Sequence, residues 1–116
     1  MSIFCTFNNV TILPEVREYF YELSYTLVEK GYFDSFDASE KYVDDLVKDI
    51  KTNLSIKRHK PAPPYFDRYG TGLYYTSFRT NKNTTWYAFF TKYLVNGETI
   101  YLVRYINNNH IIAKYL

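Results

Sequence analysis

Pro61, Pro63 and Pro64 fall within one short stretch, and they constrain what the chain on either side of them can be. A proline lacks the backbone donor that a helix interior or a central strand uses, and it pushes the residue before it out of the helical region. The segment from Ser55 to Gly72 is therefore expected to be an extended, ordered crossing. It separates two halves written in different periods: apolar residues recur at three- and four-residue steps before it and alternate after it.

In the first half, Ile3, Phe4, Phe7, Val10 and Ile12 predict one short strand between Ile3 and Leu13. Pro14 suits the first turn of a helix, where its missing N–H is not needed, and Glu15 and Glu18 sit favourably near the positive end of the helix dipole. Val16, Tyr19, Phe20, Leu23, Leu27 and Val28 then make one apolar stripe, and Gly31 supplies the C-terminal cap. A second helix is expected from Asp37-Ala38-Ser39-Glu40, read as a capping box, and it continues through Val43, Leu46, Val47, Ile50 and Leu54. Two helices joined by about six residues should form an antiparallel hairpin.

In the second half, strands are expected at Leu73–Thr80, Thr84–Tyr93 and Thr99–Ile106. Asn81-Lys82-Asn83 and Val95-Asn96-Gly97-Glu98 are short links of turn-forming residues, so the three strands should form an antiparallel meander. Period two places Leu73, Tyr75 and Ser77 on one face with Arg79, and Ile100, Leu102 and Ile106 on one face with Arg104. Tyr65, Phe66 and Tyr69 would pin the crossing to the domain, leaving Lys57, Arg58 and Lys60 in solvent. The chain then leaves through Asn107-Asn108-Asn109 into an exposed tail. The fold class is thus α+β: an N-terminal strand, a helical hairpin, and a meander completing one sheet, in one domain over residues 1–116.

Composition narrows the function classes. The single cysteine, Cys5, has no intramolecular partner for a disulfide, and His59 and His110 lie far apart, so neither a metal site nor a cofactor is expected. The first residues lack a basic segment followed by a continuous apolar run, and no 18-residue apolar stretch occurs. The expectation is a cytoplasmic protein with no membrane partner. Aromatic residues reach 21%, which reads better as strand formers filling sheet faces than as stacking platforms for bases. Charge is divided unevenly. Residues 1–54 carry five basic against ten acidic side chains, a net −5, whereas residues 55–116 carry nine basic against two acidic, a net +7. Either the second half meets a polyanion, or an acidic surface pairs with a basic one inside the fold.

The join VTILPEVREYFYEL, the meander SFRTNKNTTWYAFF and the closing segment YLVRYINNNHIIAKYL, taken in this order of elements, resemble the RelE/ParE superfamily of toxins from bacterial type II toxin-antitoxin pairs. The resemblance implies a cognate antitoxin as partner. It also implies either ribosome-dependent cleavage of mRNA or inhibition of DNA gyrase without chemistry, with a degenerate toxin that only binds as a further variant. On the RelE-like reading Arg79 and Arg104 hold phosphate, and His110, Lys114 and Tyr115 move protons while the substrate's own 2′-OH attacks phosphorus. Lys82, Arg58 and Lys60 would add RNA contacts. The stretch Thr84-Thr85-Trp86-Tyr87 lacks the middle-strand arginine of many members, and Lys82 in the preceding turn is the substitute.

Overall fold

A computed structural model describes residues 9–116. The strand expectation at Ile3, Phe4 and Phe7 lies outside them; its remainder is β1, Val10–Ile12. Pro14 then opens α1, Pro14–Glu29, with Leu13 in the capping position and its carbonyl accepting from the Val16 and Arg17 N–H groups. The end of α1 is a Schellman turn. Gly31 at φ +80° lets its own N–H reach the Val28 carbonyl and the Tyr32 N–H reach the Leu27 carbonyl.

Helix α2 spans Phe36–Asn53 and begins earlier than the sequence reading placed it. The expected capping box is not formed: Ser35, extended at φ −140°, accepts from the Ala38 N–H at 3.2 Å, so Asp37 already lies inside the first turn. Asp37 contributes its charge to the dipole there and not a cap. The two helices cross at small residues. Ser24 and Ser39 are both buried, and Ser39 Oγ donates to the Ser24 carbonyl at 2.7 Å.

The sheet is mixed, with five strands where the reading expected four. A short 3-10 turn at Leu54–Ile56 leads to β2, Lys60–Pro61, followed by β3 (Tyr74–Asn81), β4 (Thr84–Val95) and β5 (Glu98–Asn108). Their order is β1-β5-β4-β3-β2, with β1 parallel to β5 and the other pairs antiparallel. Pro61 sits on an edge strand, where its missing donor costs no ladder bond. The crossing is not extended throughout: Pro64–Tyr69 is a 3-10 helix that starts on a proline. Lys57 also departs from expectation. It is half-buried, donates to the Ser77 carbonyl on the outer side of β3, and lies 4.5 Å from the Phe78 ring centre.

The sheet is buried on both faces. Val16, Phe20 and Leu23 of α1 and Val43, Leu46 and Ile50 of α2 pack against Phe78, Trp86, Ala88, Phe90, Val103 and Ile106. Trp86 Nε1 donates to Tyr42 Oη at 2.9 Å, satisfying the indole at the rim of this layer. On the other face Phe66, Leu73, Phe89 and Ile112 form a second core walled by tyrosines. Phe89 pairs with Tyr105 and Phe90 with Val103, so Arg104 is an inserted bulge residue on β5. The insertion overturns the single face expected for Ile100, Leu102, Arg104 and Ile106: Ile106 joins Val103 on the helix side.

Asn107 and Asn108 belong to β5, and the expected exposed tail is instead folded. Asn108 caps α3, Asn109–Ile112, by accepting from the His110 N–H, and a 3-10 turn follows at Ala113–Tyr115. Ile112, 1% exposed, anchors it in the second core.

Candidate functional site

The face of the sheet opposite α1 and α2 is built from tyrosine pairs. The 3-10 helix lays Phe66 on Phe89 at 4.2 Å between ring centres, which fixes its neighbours on either side. Tyr65 stacks on Tyr115 at 3.6 Å and 8°, and Tyr69 stacks on Tyr105 at 3.8 Å and 4°. These aromatic contacts join the crossing, β4, β5 and the C-terminal turn in one layer. The expectation that Tyr65, Phe66 and Tyr69 pin the crossing is met by these three stacks.

Cations stand directly on this layer. With about three residues per turn, a 3-10 helix superposes side chains three apart. Arg68 accordingly lies over Tyr65, its guanidinium carbon 3.8 Å from the ring centre and its Nε donating to the Tyr65 carbonyl. Lys114 Nζ lies 5.1 Å from the centre of the Tyr115 ring. The Tyr115 hydroxyl is held below the usual tyrosine value, first by its hydrogen bond with Tyr65 and then by Lys114 and Arg68. The same hydrogen bond raises Tyr65. Tyr69 is pushed up to about 12, chiefly by burial and next by its hydrogen bond with Tyr105.

The residues expected to act together are divided among four places. Lys114 and Tyr115 lie in the cluster just described. Arg79 turns back on its own hairpin, donating to the Asn81 and Lys82 carbonyls at 3.1 and 2.9 Å. The start of α3 lies against the same hairpin, where Asn109 accepts from the Thr85 N–H and donates to the Asn83 carbonyl; His110, next in sequence, has an exposed side chain. Arg104 is elsewhere. Its Nε donates to Thr91 Oγ1 at 2.7 Å and its Nη2 to Tyr93 Oη at 2.8 Å, and among the described residues it has no carboxylate partner. Arg79 lies level with Thr85 and Arg104 lies between the levels of Phe89 and Phe90 on the far side of β4. Strand spacings put their Cα atoms roughly 18 Å apart. The two guanidinium groups point to opposite ends of β4, so one phosphate cannot be held between them. Arg58 and Lys60 are exposed near the β2 edge.

Gly70 makes room for Arg104. A side chain there would place its first carbon 2.9 Å from Arg104 Cδ, and φ of +150° already favours glycine. Arg68 and Tyr65 are the functional candidates that sequence reasoning passed over. Their spacing of three was visible, but its meaning depended on the 3-10 helix. A cleft of about 650 Å³ lined by Asn9, Thr52, Ser55, Ile56, Glu98, Thr99 and Tyr101 contains none of the expected residues. Among the described residues no group of three His, Cys, Asp or Glu is placed to hold a metal ion, and no helix is long and apolar enough to cross a membrane. No protein-family model matches the chain, and no curated protein or solved structure matches it significantly.

Proposed function

We propose that the chain is the toxin of a type II toxin-antitoxin pair, and that it cleaves mRNA on the ribosome through the Tyr65–Tyr115 cluster. One observation carries the reading: a hydroxyl with a lowered proton affinity, Tyr115, has Lys114 against its ring and Arg68 on the other face of its stacking partner Tyr65, on an ordered surface. In the reaction the 2′-oxygen of the substrate forms a bond to phosphorus and the bond to the 5′-oxygen breaks. Tyr115 gives its proton to the departing 5′-oxygen. Lys114 and Arg68 stabilise the charge gathered on the phosphoryl oxygens. The 2′-OH proton passes to a water molecule acting as base, because His110, the group expected for this role, lies with the hairpin of Arg79 and not in the cluster. The reading places the protein in the cytoplasm, beside an antitoxin.

Gyrase inhibition without chemistry is the second reading, and the separation of Arg79 from Arg104 favours it, because a binding surface needs no convergent phosphate clamp. Expressing the chain alone should arrest growth, and primer extension should map cuts in messages only where ribosomes are engaged. Tyr115→Phe keeps the ring stack and removes the proton, so cleavage should fall by about 10²–10⁴-fold. Intact messages together with arrested supercoiling would replace the first reading with the second.

A further inference from the structure

The outward side of the helical hairpin carries aromatic surface that the fold does not use. Tyr21 and Tyr25 are 61% and 48% exposed, and neither belongs to the cores. They are nonetheless held in place: the rings meet edge to face at 5.4 Å, their hydroxyls are hydrogen-bonded at 3.3 Å, and Tyr25 rests on Phe36 at 4.6 Å between centres. A partner arriving here would find rings with little conformational freedom left to lose.

The charge around these rings says what the partner is. Glu40 follows Phe36 by one turn on α2, on the face that meets Tyr25. On α1, Glu18 precedes Tyr21 by one turn, Glu29 follows Tyr25 by one turn, and Glu22 lies between them. Arg17, one turn before Tyr21, is outnumbered. Ring faces carry negative potential, and carboxylates beside them add a hydrogen-bonding anion. A flat guanidinium satisfies both at once, lying on a ring and directing its N–H groups to a carboxylate, whereas a nucleic acid or an anionic lipid would be repelled. We infer that the Tyr21–Tyr25–Phe36 surface with Glu40 docks an arginine-bearing polypeptide segment. This surface lies on the far side of the sheet from Tyr115, so the inference does not depend on the RNA-cleavage reading.

The test is a titration of the isotope-labelled full chain with a synthetic peptide of alternating arginine and alanine, using the citrulline version as control. Backbone and ring resonances of Tyr21, Tyr25 and Glu40 should shift and saturate with the arginine peptide and not with citrulline. Tyr21→Ser with Tyr25→Ser should weaken binding about tenfold, in keeping with the loss of two cation–ring contacts. Glu40→Gln, which leaves the rings in place, should weaken it as well. Equal binding of the citrulline peptide, undiminished binding to both variants, or shifts confined to the sheet would overturn the assignment. Shifts at Tyr21 and Tyr25 that follow protein concentration without peptide would assign the surface to a second copy of the chain instead.

Discussion

At the scale of single residues, the tyrosines of the sheet's outer layer are differentiated by their neighbours. Tyr115 and Tyr69 each stack at under 4 Å on another tyrosine, yet their hydroxyls move in opposite directions. The hydrogen bond with Tyr65, and after it lysine and arginine, stabilise the anion of the first, and burial disfavours the anion of the second. The Tyr69 contribution to stability follows from the sign of its shift. Its proton affinity is higher folded than unfolded, so its contribution is complete below pH 10 and is lost as pH rises from 10 towards about 12. Tyr69→Phe should therefore flatten the alkaline limb of a pH-dependent unfolding curve while leaving the neutral midpoint nearly unchanged. Arg104 was legible as a charge needing a reason among alternating apolar residues. Its hydrogen bonds to Thr91 and Tyr93 were not, because both depend on strand register.

At the scale of elements, the helices and the meander could be read because each keeps one period over many residues. The start of α2 could not be fixed to the residue, since Ser35 and Asp37 are both good caps and only the backbone conformation of Ser35 decides between them. Ser35→Ala should cost about 1 kcal/mol in chemical denaturation, and Asp37→Ala distinctly less. The parallel pairing of β1 with β5 is a contact across nearly the whole chain and leaves no local signature. The bulge in β5 likewise carries no glycine to announce it. The 3-10 helix at Pro64–Tyr69 was hidden by its prolines, which forbid an α-helix interior but suit a short turn. Its docking depends on Phe66, fully buried against Phe89. Phe66→Ala should destabilise the domain by about 3–5 kcal/mol and broaden the resonances of the segment Asn109–Tyr115, which shares that core.

At the scale of the whole molecule, the sheet separates two surfaces of opposite character. The acidic helices cover one side, while Arg68 and Lys114 belong to the elements covering the other and Arg104 of β5 lies against Gly70 there. The division of charge between the two halves of the sequence is carried only in part onto two sides of the fold, because Lys57 and Lys92 lie over Phe78 and Tyr74 on the helix side. Retention on a polyanion column should fall steeply with salt and should fall further in Arg68→Ala with Lys114→Ala, whereas substitutions on α1 should leave it unchanged. The extra residue in β5 has a consequence for evolution and for engineering. Tyr105 and Val103 already face adjacent positions of β4, so a chain from which Arg104 is excised would close into an uninterrupted ladder with every flanking side chain on its present side. Removing a residue away from the bulge would instead turn the stretch between it and the bulge to the opposite face. Position 104 can therefore be deleted at little cost to the architecture, which allows what the arginine does to be measured apart from what the strand does.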